Sequence, residues 1–191
     1  LNALRGLTEQ FPGAYLLKGI ARLWFARHRR LRFTCPKLSV EPVVSFTEEF
    51  NDLWDNNKKD YDITTVRDCA FLTWRHCQVT SLVGRTFVFA CRDHGQIRGY
   101  IALQARAHDS GYLPGHYVVT DLFYERTRKD VLYNLVNYAF EFAKAQDCSI
   151  FQVSGYSNEV VEELKPQRPY IRKDKSCPCW YKGLTDLEAK L

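Results

Sequence analysis

The residues best equipped for chemistry lie close together in the second half of the chain. Asp121 is a lone acid inside the apolar run 117–124, and the next turn is basic, with Arg126, Arg128 and Lys129 ahead of Asp130 and Val131. By strand alternation Asp121 shares a pleat face with Tyr117, Val119 and Phe123, and burial among such neighbours raises a carboxyl pKa. That is the setting of a general acid or base, and equally that of a structural hydrogen-bond acceptor. The basic turn precedes a helical pattern, so backbone N–H groups and the positive end of a helix dipole would face an anion there. A solvated basic turn fits the same residues. Asp130, in the first helical turn, would repel an anion or serve as a capping partner.

Other constellations lead nowhere. Cys177-Pro178-Cys179 offers two thiolates, but zinc takes four ligands, and no second pair at CxxC or HxxxH spacing exists, so no metal is expected. His76 and Cys77 would juxtapose base and nucleophile, yet adjacent helical residues point in different directions. A core cysteine beside a surface histidine is the expectation. No GxSxG, Walker, dinucleotide-binding or HExxH pattern occurs, which removes the usual hydrolase and nucleoside-triphosphate readings.

The elements that must position these residues follow from periodicity. Residues 43–46 are a short strand candidate. Phe46, Phe50, Leu53 and Trp54 then mark one face of a helix that ends among residues 56–59. A second helix opens at Thr65, with Asp68 completing a capping box, and carries Ala70, Phe71, Trp74 and Cys77 inward. Two strands, 86–92 and 96–106, flank the hairpin turn Asp93-His94-Gly95, where Gly95 can take positive φ. After a loop at 108–115 come a strand over 117–124 and a helix over 129–145, the latter opened by a Thr127–Asp130 capping box. A strand over 149–154, a helix over 158–165 stopped by Pro166, and a closing strand pair at 170–175 and 179–182 complete the order β-α-α-β-β-β-α-β-α-β-β.

Composition sets the frame. The chain has 191 residues, 46% apolar and 26% charged, enough to bury a core in one domain plus an appendage. No apolar run reaches the ~20 residues that span a bilayer, and no secretory signal opens the sequence. Seven scattered cysteines read as reduced thiols of a cytoplasmic protein, and the lack of any methionine implies a longer polypeptide with an upstream domain. Residues 1–40 carry a net charge of +7 and the remainder −2. Nucleic acid is therefore not an expected partner of the main body. Residues 18–33 have an amphipathic helical pattern that fits packing on a neighbouring domain, ahead of a proline-containing linker. The expected division is a basic extension and linker over 1–42, a domain over 43–182 and a tail over 183–191.

The element order and the phrases Phe71-Leu72-Thr73-Trp74-Arg75, Gly99-Tyr100, Asp121-Leu122-Phe123 and Asn158 resemble the GCN5-related N-acetyltransferase (GNAT) superfamily. Within it they are similar to the second domain of tandem or FemAB-like acyltransferases. The resemblance covers about residues 43–182 and implies an α/β (α+β) fold: a mixed, mostly antiparallel sheet flanked by helices. It also implies transfer of an acyl or aminoacyl group from acetyl-CoA or another acyl-CoA to an amine, a small molecule or a cell-envelope or polysaccharide precursor. A homodimer is compatible with it. By the same resemblance Asp121 is the base or orienting acid, Tyr156 the acid for the departing thiolate, and Phe123, the turn Arg126, Arg128, Lys129, Asp130 and Val131, and Asn158 form the donor site. The family fingerprint R/Q-x-x-G-x-G/A, aligned on Arg126, puts Lys129 and Val131 where glycines belong, so bulky side chains are expected to obstruct the phosphate cradle. The helix after the fifth strand lacks the family's tyrosine. The alternative is an inactive copy kept for substrate binding, dimerisation or support of a catalytic domain.

Overall fold

In the computed structural model, residues 31, 33–61, 64–78, 85–106, 116–146, 148, 150–153 and 158–167 are described. They fall into two compact units, Leu1–Tyr156 and Ser157–Leu191. Tyr156, the Cys177-Pro178-Cys179 segment, the closing strand pair and the amphipathic pattern of the N-terminal arm up to residue 30 lie outside the described residues.

The first unit is built on a five-stranded sheet in the order β1-β2-β3-β4-β5: β1 Ser39–Pro42, β2 Thr86–Asp93, β3 Gln96–Arg106, β4 His116–Tyr124 and β5 Ile150–Val153. The first four pair antiparallel, while β4 and β5 are parallel. The mixed, mostly antiparallel sheet matches the expectation from the sequence. β1 does not. It uses Ser39–Pro42 in place of residues 43–46, so the sheet begins inside the segment read as linker. An exposed strand ending on proline is tolerable because β1 is an edge.

The β2–β3 hairpin closes through His94 (φ 48°) and Gly95 (φ 81°), two consecutive positive-φ residues as in a type I′ turn. On the other strand, Gly99 is required by close approach: a Cβ there would stand 2.6 Å from Cβ of Tyr124 on β4.

One face of the sheet is covered by helix α1, Glu49–Asn57, and by α2, Cys69–Thr73, which continues as a π-helical turn, Trp74–Gln78. Phe50 and Leu53 of α1 and Leu72 of α2 pack there with Val88, Ala90, Ile97, Tyr100, Ala102 and Phe123. The opposite face is covered by α3, Lys129–Ala145, through Val131, Leu132, Leu135, Val136, Ala139 and Ala143.

Both expected capping boxes are corrected. α2 starts at Cys69 with Asp68 as its cap, the carboxylate accepting the N–H of Phe71 at 2.7 Å. α3 starts at Lys129 after Arg128, so Thr127 does not cap it. The inward residues of α2 are also corrected. Ala70 is exposed, Trp74 is 52% exposed and Cys77 is exposed, while Leu72 and His76 are buried. Starting the helix at Asp68 sets its phase, and the wider π turn carries that phase to His76.

The second unit contributes α4, Asn158–Leu164, followed by a 3-10 turn, Lys165–Gln167. Asn158 is the first helical residue and is exposed.

Candidate functional site

The site begins with an irregularity in β4. Ala102 of β3 pairs with Asp121, but Leu103 pairs with Val119, so Thr120 is an extra residue bulged out of β4. Before the bulge Tyr117 packs with Phe87, which contacts Phe142 of α3. After it, Phe123 joins the cluster under α1 and α2. The bulge therefore places Asp121 on the opposite face from Tyr117 and Val119, which corrects the shared face expected from regular alternation.

There Asp121 is the centre of a buried polar cluster. Its Oδ1 accepts from Arg67 Nε at 3.2 Å and Nη2 at 3.1 Å, and from the Leu122 N–H at 3.0 Å. Its Oδ2 accepts from the Tyr100 hydroxyl at 2.9 Å. His76 Nε2 stands 3.6 Å from Oδ2, buried and without a hydrogen-bond partner, so it acts on Asp121 through its field and not through a formed bond. Burial raises the Asp121 pKa, while His76, the Arg67 charge and the Tyr100 hydroxyl lower it, and the lowering wins. The expected upward shift is thereby reversed. Burial and the neighbouring carboxylate push the Tyr100 hydroxyl well above its usual value, so it remains a donor.

Arg67 continues outward from this cluster. Its Nη1 donates to Thr64 Oγ1 and to the Thr65 carbonyl, and its guanidinium lies 5.4 Å from the centre of the Phe123 ring. Phe123 stacks on Tyr61 at 5.0 Å, and Tyr61 in turn lies 5.0 Å under the Arg126 guanidinium. The column Arg67, Phe123, Tyr61, Arg126 runs from the buried acid to the turn before α3. Arg126 also donates to the Asp60 carbonyl, and Tyr61 donates to the Tyr124 carbonyl at 3.0 Å.

Next to this column lies β5, which pairs with β4 from His116 to Val119, against Ile150 to Val153. The residues that follow Val153, and so would continue beside Thr120 to Phe123, lie outside the described residues.

The turn itself is occupied by its own charges. Arg128 makes a bidentate pair with Asp130, Nε to Oδ1 at 2.9 Å and Nη2 to Oδ2 at 2.8 Å. Its Nη1 and Nη2 also reach Asp93 Oδ2, each at 3.0 Å. The Asp130 carboxyl is held below its usual value, chiefly by Arg128 and, against burial, also by the N–H groups of Val131 and of Asp130 itself. A carboxylate of the chain thus takes the helix end that an anion would need. Val131 is fully buried in the core and Lys129 is exposed. The obstruction expected from bulky side chains at 129 and 131 is corrected accordingly: Val131 points away from the turn, and Asp130 fills it. A second like-charged group 4 Å from Asp130 would meet about 1 kcal/mol of repulsion in water, and about 4 at an effective dielectric of 20. The residues present at the α3 terminus therefore do not fit a diphosphate.

No group of His, Cys, Asp and Glu among the described residues could hold a metal ion. No described helix is long and apolar enough to cross a membrane.

No family model matches the chain, and no curated protein does. Solved structures do. A ribosomal-protein-alanine N-acetyltransferase from Brucella melitensis superposes with a TM-score of 0.54 at 13% identity, over 75% of this chain and 100% of its own. An aminoglycoside acetyltransferase from an uncultured soil metagenome does so at 0.53 and 12%, over 78% and 97%. This is the GNAT acetyltransferase fold. A transcriptional regulator from Bacillus halodurans has the same likeness, at 0.54 and 11% over 75% and 99%, so the GNAT fold is shown and its use is not.

Sequence reasoning found Asp121 and the turn but missed Arg67, Tyr100, Tyr61 and the inward turn of His76. Arg67 lies 54 residues from Asp121 in sequence, and no local pattern joins them.

Proposed function

We propose that this chain is an N-acyltransferase of the GNAT fold, which binds the amide arm of an acyl thioester along β4 and passes the acyl group to an amine. The supporting observation is the buried cluster of Asp121, Arg67 and Tyr100, turned onto the α1–α2 face by the bulge at Thr120 in a chain of the GNAT fold. In the reaction the amine nitrogen bonds to the thioester carbonyl carbon, the C–S bond breaks, and the thiolate leaves and takes a proton. The ammonium proton is lost to solvent before attack. Asp121 serves as an orienting acid: its carboxyl is too acidic and too fully bonded for a general base, and it fixes the Leu122 N–H and Tyr100 beside the arm. By the resemblance of the sequence, Tyr156 would give the departing thiolate its proton. Phe123 and Arg126 build the aromatic and cationic wall. An aminoacyl group, as in the FemAB-like enzymes that the sequence resembles, is an acceptable acyl class.

The second reading, a non-catalytic copy that supports another domain, is favoured by the self-neutralised turn. Calorimetric titration with S-acetylpantetheine and acetyl-CoA, together with release of free thiol in the presence of a panel of amines, separates the two. Binding with amine-dependent thiol release supports the transferase. No heat from either thioester at millimolar concentration supports the non-catalytic copy.

A further inference from the structure

We infer that the donor is recognised by its acyl-pantetheine arm alone, because the place a nucleotide diphosphate would take at the start of α3 is held by the chain's own Asp130. This rests on the transferase reading and narrows its substrate class to acyl thioesters of pantetheine-type thiols without a nucleotide.

Two features of the turn converge on it. First, the groups that would bind phosphate oxygens are already engaged. Both arms of the Arg128 guanidinium go to carboxylates, those of Asp130 and Asp93, and the Val131 N–H donates to the Arg128 carbonyl at 3.1 Å. Asp93 and Asp130 thereby offset two of the three cations of the turn. Second, Arg126 is directed elsewhere, onto the Tyr61 ring and the Asp60 carbonyl. The β4 segment from Thr120 to Phe123, where the arm is placed, holds one carboxylate, Asp121, and it is paired with Arg67.

The test compares two thioesters that share the arm and differ only in the nucleotide, by calorimetry on the full chain. S-acetylpantetheine and acetyl-CoA are expected to bind within about threefold of each other, since the nucleotide gains no charge-assisted contact at the turn. Asp130→Gly, and Asp130→Asn as the variant that keeps the side-chain shape, are expected to tighten acetyl-CoA by about tenfold or more, the effect of removing one opposing charge, and to leave S-acetylpantetheine unchanged. Wild-type chain binding acetyl-CoA more than about tenfold tighter than S-acetylpantetheine would overturn the inference while leaving the transferase reading intact. Failure of both thioesters to bind removes that reading and the inference with it. Should both variants fail to fold, the wild-type comparison decides alone. A carrier protein bearing acetyl-phosphopantetheine, titrated beside the free thioester, separates the two sources of the arm: tighter binding assigns a protein-borne arm, equal or weaker binding a small molecule.

Discussion

Asp121 binds its neighbours more strongly than any local pattern would indicate. Removing the acid leaves the Arg67 guanidinium, whose side chain is 17% exposed, without its partner. Asp121→Ala is therefore expected to lower unfolding free energy by about 3–5 kcal/mol, as for other broken buried pairs. Tyr100→Phe deletes one hydrogen bond to a charged group and should cost about 2 kcal/mol. Urea unfolding of the three proteins checks both. The same carboxyl sets an acid limit. Its folded pKa is depressed, so its contribution is complete above the unfolded value of about 4 and is lost as pH falls through the folded value. The stability gap between wild type and Asp121→Asn should accordingly be constant from neutral pH down to about pH 5 and narrow below about pH 4. A gap independent of pH throughout would show that the carboxylate charge contributes nothing.

At the scale of elements, the bulge is what turns the acid. Deleting Thr120 joins Val119 directly to Asp121, which by regular alternation keeps Asp121 and Phe123 on the α1–α2 face, so the variant should still fold, read as retained near-ultraviolet circular dichroism. Thr120→Ala keeps the extra residue and should stay within about 1 kcal/mol of wild type. A second local requirement is Gly99, where alanine would collide with Tyr124, so Gly99→Ala should cost about 1–3 kcal/mol by thermal or urea unfolding. These examples show how far the sequence was readable. α3 spans the expected residues 129–145 because its apolar residues repeat with the helical period. The hairpin is equally plain, since Gly95 marks its turn. β1 was misplaced because an exposed edge strand with proline carries no alternating apolar signal. The bulge was illegible because one inserted residue leaves no compositional mark, and with it went the true face of Asp121. His76 and Cys77 were exchanged, inside for outside, because a π turn changes the phase that periodicity assumes.

For the first unit as a whole, the order in which its strands follow one another matters as much as the side chains. β2, β3 and β4 follow one another in the sheet, whereas β1 meets β2 only across residues 43–85 and β5 joins β4 only after the chain has crossed back through α3. Closing those longer excursions costs entropy before any contact repays it. Amide exchange should therefore be slowest in β2 and β3 and faster at β5, which a native-state exchange series measures directly. A ligand that touches β5 as well as β4 would bind only chains in which β5 has paired. It would then protect β5 amides by the mass-action factor set by its concentration over its dissociation constant. Pairing of one short strand and ligand occupancy would in that case form a single linked equilibrium.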